Sequence, residues 1–339
     1  MHDINADGNS DLIFRNGSTG QISAWLMNGS APTSTAGLVP PGNWNVSHTA
    51  DFNGDGKADI LYRNDDGSVT LWLMNGLTLA SSVGLLGPNP DWRVSHVGDF
   101  NGDGKADILW RNTNGAVTLW LMDGTTIVSS VGLLGADPGW SVSHVADFNG
   151  DGKADLLWRN SNGAVTTWLM NGTAIASTAG LLGADTSWRV SHVADFDGDG
   201  KADLLWRNIN GAVTAWLMNG TTIVSTAGLL GPDANWSVTH TGDFNGDGKA
   251  DLLWRNSNGA VTQWLMHGTV IASAAGLLGA DPSWRVTHLG DYNGDGKADL
   301  VWRNTGNGAI TMWLMNGAVT LSAAGILGAT TWSVVPTSQ

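Results

Sequence analysis

The chain has 339 residues, a formal net charge of −14, no cysteine and no glutamate; all 30 acidic residues are aspartate. That acidity argues against nucleic acid as a partner, because a phosphate backbone needs a basic face. No apolar run approaches the ~18 residues that cross a bilayer as a helix, so membrane insertion is not expected either. Length alone would allow two domains, but an internal repeat overrides that prior.

Met1 and His2 lead straight into Asp3–Asp11, D-I-N-A-D-G-N-S-D, so no secretory leader is read in these residues. This is the first of seven copies of one nine-residue stretch, each starting 48 residues after the last. The third copy, Asp99–Asp107, reads D-F-N-G-D-G-K-A-D. Side-chain oxygens stand at positions 1, 3, 5 and 9 (Asp99, Asn101, Asp103 and Asp107), with glycine at position 6. A hard cation such as Ca²⁺ takes six to eight oxygens, and a tight loop supplies them by turning alternate residues inward. The backbone carbonyl of position 7, Lys105, completes the set, and the glycine permits the sharp turn.

Every copy offers the same donors. They are Asp3, Asn5, Asp7, Asn9 and Asp11 in the first copy, and Asp51, Asn53, Asp55, Lys57 and Asp59 in the second. The fourth has Asp147, Asn149, Asp151, Lys153 and Asp155, and the fifth Asp195, Asp197, Asp199, Lys201 and Asp203. The sixth has Asp243, Asn245, Asp247, Lys249 and Asp251, and the seventh Asp291, Asn293, Asp295, Lys297 and Asp299. An EF-hand would need a carboxylate at position 12 and a following helix; position 12 here is Trp110, in a strand-like run. A polar turn kept for solubility would not repeat four oxygen donors at fixed spacing. About seven Ca²⁺ per chain are therefore expected, and their charge would cancel the −14.

The rest of a unit is read from the third. Trp92–Gly98 alternates and enters the loop, and Ala106–Arg111 follows it as a short apolar run. Asn112–Gly115 is a tight hairpin turn, Ala116–Met122 a third run, and Asp123-Gly124 a second turn before Thr125–Leu134. Short runs broken by Gly, Asn and Asp predict a four-stranded antiparallel sheet. Val117, Leu119 and Leu121 face one way and Thr118, Trp120 and Met122 the other, so both faces need cover. Stacking such sheets about an axis predicts an all-β, seven-bladed propeller over residues 1–339. The 19 tryptophans fall in three columns, represented by Trp92, Trp110 and Trp120, and read as blade packing. Trp332–Val335 matches a first strand and should complete the blade that the N-terminus begins, leaving no open edge. Pro336 stands where other units carry histidine.

The loop, preceded by S-H-V-A-D-F-type strands and followed by A-D-L-L-W, resembles the FG-GAP (VCBS-type) repeat over essentially the whole chain. That repeat builds the propellers of integrin alpha subunits and of some fungal sugar-binding lectins, and the resemblance implies calcium at the loop positions named above. In the first loop Ile4 and Ala6 depart from the pattern, which implies weaker binding there. The W-L-M-N-G segment, W-L-M-D-G at Trp120–Gly124, is associated with bacterial extracellular repeats.

Other columns are open to two readings. His48, His96, His144, His192, His240 and His288 share a face with Trp92, Val94 or their equivalents and read as packed core histidines rather than metal ligands. Arginines beside the hairpins, such as Arg111, could pair with linker acids or serve sugar hydroxyls. The candidate ligand residues are Asp137, Trp140, Asp185, Trp188, Asp281 and Trp284, with Asn112, Asn160 and Asn256 on the shared face. No nucleophile elbow, phosphate loop or unique carboxylate pair appears, so an enzyme is not expected. The expected function is a calcium-binding, multivalent lectin-like module, extracellular or at the cell surface and monomeric. The alternative is a protein-interaction, adhesion or purely structural propeller, engineered or recently amplified, without a sugar site.

Overall fold

The computed structural model describes residues 3–39 and 41–335; Pro336 lies outside them. Among these residues the chain forms seven four-stranded antiparallel sheets. In the third blade the strands are Trp92–Gly98, Asp107–Asn112, Val117–Asp123 and Thr126–Leu134, within one residue of the predicted runs. The first blade is built from both ends: Trp332–Val334 pairs with Leu12–Asn16, setting Phe14 opposite Val334. This closes the ring as expected.

Both faces of each sheet are buried against the neighbouring blades. Val117, Leu119 and Leu121 pack on Leu156, Trp158 and Met170 of the following blade. Trp110 and Met122 face the other way, onto Val69, Leu71 and Leu73 of the preceding one. Trp110 is 2% exposed, and its ring centroid lies 4.8 Å from that of Trp120. Fully burying such a side chain contributes roughly 1.5–3 kcal/mol, and the aromatic pair about 0.5–1.5 kcal/mol more. The pair recurs in all seven blades, as Phe14–Trp25 and Tyr62–Trp72 in the first two.

The first strands approach one another about the axis, while the fourth are outermost and mostly exposed. A bulge lies between Val94 and His96, so that Val94 pairs with Trp110 and His96 with Leu109, on adjacent rungs. Adjacent rungs face opposite sides. His96 therefore does not share the face of Val94, as strict alternation predicted; it turns toward the next blade. His288 shows the result, its Nε2 lying 2.9 Å from the Val335 carbonyl oxygen. His48, His96, His192 and His240 address the carbonyls of Ser95, Ser143, Thr239 and Thr287 in the same manner. Burial pushes five of these rings down to about 4. Neutral at pH 7, His288 donates its Nε2–H to the next blade.

Candidate metal centre

The loop joining the first two strands of a blade is wound around its own side-chain oxygens. In the third loop Asp99 Oδ1 accepts from the Gly102 amide at 2.6 Å, and Oδ2 from the Gly104 amide at 2.7 Å. Asn101 Oδ1 accepts from the Asp103 amide at 3.0 Å, and Asp103 Oδ1 from the Lys105 amide at 2.9 Å. Positions 4 and 6 are in the left-handed region, with φ of 77° at Gly102 and 81° at Gly104. The first loop keeps this path with Ala6 at φ 60°, the one non-glycine residue of positive φ among the described residues.

Position 9 has a second task that the repeat pattern does not reveal. Asp107 is fully buried; its Oδ2 accepts from the Phe100 amide at 2.9 Å and its Oδ1 from the Met122 amide at 2.8 Å. It thereby fastens the loop to the third strand of its own blade. Burial pushes its carboxyl up to about 7, against the two amide bonds, and Asp99 and Asp103 nearby raise it further. Asp11 and Asp203 are raised to about 7, and Asp59, Asp155, Asp251 and Asp299 to about 6, burial being the largest cause in each.

These donors suit a hard cation. In the fifth loop, where Asp197 replaces asparagine, one carboxylate oxygen each from Asp195, Asp197 and Asp203 lie within 4.8 Å of one another. Hard carboxylates gathered this closely repel unless a cation or a proton intervenes. Asp199 lies outside this group, with its Oδ2 2.7 Å from Lys201 Nζ. In the other loops the position 3 oxygen is an asparagine carbonyl, so that three carboxylates and one amide remain.

The loops also form a ring among themselves. The position 8 amide of each donates to the position 1 carbonyl of the loop before it: Ala106 to Asp51 at 2.7 Å, Ala154 to Asp99 at 2.6 Å. Ser10 donates to Asp291 at 2.6 Å and closes the cycle of seven. The lysine stem of each following loop lies over position 4; a Cβ on Gly102 would meet Lys153 Cγ at 3.3 Å. Lys105 Nζ pairs with Asp123 at 2.6 Å, while Lys153 and Lys201 reach the position 5 aspartate of their own loops. Sequence reasoning assigned these lysines a carbonyl role only. The co-occurrence of glycine at position 4 with lysine in the next copy was the available signal.

The candidate ligand residues lie on the opposite face. Trp140 is the cross-strand partner of Asn160, and the hairpin at Gly115 abuts the Asp137–Pro138 linker. Asp137, Trp140 and Asn160 thus come together, whereas Asn112 pairs with Trp92 and Asn256 with Trp236. Trp188 and Trp284 pair with Asn208 and Asn304. These three tryptophans are half-buried against the blade cores. Asp137 Oδ1 caps the Gly139 amide, Asp185 Oδ1 that of Ser187, and Asp281 Oδ1 that of Ser283. The Oδ1 atoms of Asn112, Asn160 and Asn256 cap their hairpins.

The arginines depart from expectation. Among the described residues all ion pairs within 4.0 Å are made by lysine, so the arginine–linker acid pairs do not form. Instead Arg63 Nη1 donates to the Trp92 carbonyl of the next blade at 2.6 Å, as Arg255 does to Trp284. Arg303 makes the same bond to Trp332. For these three arginines the carbonyl that opens the next first strand is the better-placed acceptor.

A closed ring of four-stranded blades with one oxygen-lined loop per blade defines a repeat propeller. Residues 3–62, 51–110, 99–158, 147–206, 195–254 and 243–302 each match the FG-GAP-like repeat, and the chain belongs to that family. No curated protein sequence matches it. Prolyl oligopeptidase B from Galerina marginata is similar in structure, with a TM-score of 0.63 and 10% identity over 98% of this chain and 50% of that one. BBS1N, solved in complex with ARL6DN, gives a TM-score of 0.53 and 13% identity over 93% of this chain and 90% of that one. Both are likenesses of fold.

Proposed function

We propose that this chain is a calcium-locked, non-catalytic propeller that presents a rigid multivalent surface to partners outside the cell. The observation that carries this reading is the hydrogen-bonded cycle of seven oxygen-lined loops. Bound calcium would supply positive charge among the carboxylates of each loop. Asp99, Asn101, Asp103, Asp107 and the Lys105 carbonyl would hold it in the third loop, and their equivalents in the others. Because each loop donates to the one before it, ordering one loop orders its neighbours. A ligand of the native state stabilises by ~2.7 kcal/mol at a hundredfold excess over its dissociation constant. Extracellular calcium modules bind at roughly 10⁻⁴–10⁻³ M, and loops of that affinity would fill where calcium is plentiful. The test is thermal unfolding with excess calcium and with a strong chelator. A large fall in Tm with chelator is expected; an unchanged Tm refutes the calcium lock.

A second reading, glycan recognition, is favoured by the aromatic clefts between blades. One of about 120 Å³ is lined by Leu86, Trp92, Trp110, Thr118 and Trp120. Trp110 Nε1 is buried there without a hydrogen-bond partner, as are the equivalent atoms of Trp158, Trp206, Trp254 and Trp302. Apolar sugar faces stack on such rings, and hydroxyls need convergent polar groups. Repetition would turn weak single sites into avidity. A glycan array decides: multivalent binding supports the lectin, and no bound glycan leaves protein partners as the ligand class.

A further inference from the structure

The positive charge of this chain is divided by residue type. All six lysines sit in the acidic loops, and all ten arginines sit on first and second strands toward the opposite face. That face holds ten arginines and seven aspartates, a balance of +3, which leaves −17 on the loop side. An acidic protein thus carries a basic face.

Nine of the ten arginines are gathered into three groups. Arg189 and Arg207 are direct cross-strand partners in the fifth blade. Arg93 and Arg111 are partners in the third, and Arg285 and Arg303 in the seventh. Like charges directly opposite one another destabilise a sheet. The alternating blades avoid the pairing, with Asn45, Ser141 and Ser237 at the same position facing Arg63, Arg159 and Arg255. The arginine of the preceding blade completes each group. Arg159 lies close enough to Arg189 for its guanidinium to be perturbed, and so does Arg207.

These three guanidiniums line one cavity of about 370 Å³ between the fourth and fifth blades, together with Thr186, Ser187 and Asn208. Nη1 of Arg159 and Nη1 of Arg207 are buried without a hydrogen-bond partner. Asp185 and Asp233 exert some attraction on Arg159 and Arg207, but neither comes within ion-pair distance. Asp185 Oδ1 is occupied by the Ser187 amide and hydroxyl, at 2.8 and 2.6 Å. Three planar cations around one cavity, unpaired with any carboxylate, match the geometry by which arginine forks grip tetrahedral oxyanions.

We propose that the Arg159–Arg189–Arg207 cavity binds a sulfate- or phosphate-type oxyanion, and that Arg63–Arg93–Arg111 and Arg255–Arg285–Arg303 form its two counterparts. The group arrives as a free ion or as an ester on a larger molecule. This site is separate from the aromatic clefts and stands whether or not neutral glycans bind there.

The experiment is isothermal titration of the calcium-loaded chain with inorganic sulfate and with glucose 6-sulfate, at ionic strength held constant with chloride. Saturable binding of three anions per chain is expected. The triple variant R93S/R189S/R285S installs the serine that two neighbouring blades already carry, so its fold is retained. It should lose the sites, with affinity falling at least about tenfold, and should melt no lower than wild type without sulfate because like-charge pairs are removed. R189K in place of R189S should restore part of the affinity at one site. Tighter binding of glucose 6-sulfate than of sulfate assigns the group to an ester, and equal binding assigns it to the free ion. Absence of saturable sulfate binding by the wild type, or equal binding by the triple variant, overturns the proposal.

Discussion

Replacing Asp107 by alanine separates the two tasks assigned to position 9. Its carboxylate accepts from the Phe100 and Met122 amides at 2.9 and 2.8 Å, and both bonds are buried. Removing it leaves two buried N–H donors without an acceptor, at ~1–3 kcal/mol each, so about 2–6 kcal/mol in all. Part of this is offset, because the buried carboxyl, pushed up to about 7, itself opposes folding at neutral pH. Asp103→Ala is the control. It lies exposed in the same loop, and its Oδ1 accepts only from the Lys105 amide. Denaturant unfolding should be followed with excess calcium and with chelator. Asp107→Ala should lower the midpoint in both conditions; Asp103→Ala should lower it only with calcium. If Asp107→Ala unfolds within about 0.5 kcal/mol of wild type in chelator, the strand-fastening role is refuted.

Three further outcomes follow from the same geometry. A Cβ on Gly115 (φ +96°) would sit 2.3 Å from the Asp137 backbone, whereas one on Gly104 (φ +81°) meets nothing within 4 Å. Gly115→Ala should therefore destabilise clearly more than Gly104→Ala, whose cost is backbone strain of ~1–2 kcal/mol, and thermal melts of the two variants compare them. Ala6→Gly relieves the one left-handed alanine, so calcium titration of the first loop should show tighter binding than in wild type. The stabilisation by calcium should shrink as pH falls from 7 to 5. In the metal-free fold the position 9 carboxyls, at about 6 to 7, take up protons before the unfolded chain does at 3.8, so that acid relieves the metal-free protein. Metal-free stability from these groups is accordingly lost as pH rises through that window, where calcium binds best. The histidines, lowered to about 4, work oppositely: their contribution is lost as pH falls below 6.5. The difference in Tm with and without calcium isolates the carboxyl part.

Blades, hairpins and ring closure were legible because their signals are local: Gly and Asn turns, apolar alternation, and a loop recurring every 48 residues. The side of the sheet that His96 occupies was not, since the bulge at Ser95 leaves no mark in an alternating pattern. Contacts between blades were also hidden. Arg63 and the Trp92 carbonyl are 29 residues apart, and a backbone acceptor has no sequence signature. The linker aspartates looked free for a ligand because the amides that they cap, such as those of Ser187 and Ser283, become neighbours only once the turn forms. The loop donors were readable as a chemical set, but the buried fastening by Asp107 depends on Met122, 15 residues on in the third strand.

The central claim, that all seven loops hold calcium, is tested most directly by counting the metal. Calcium-saturated protein, freed of excess ion and analysed by elemental mass spectrometry against protein concentration, should carry close to seven ions per chain, one for each loop. Fewer than about four per chain would contradict the account, because loops with the same donors and the same hydrogen-bonded ring would then differ in whether they bind.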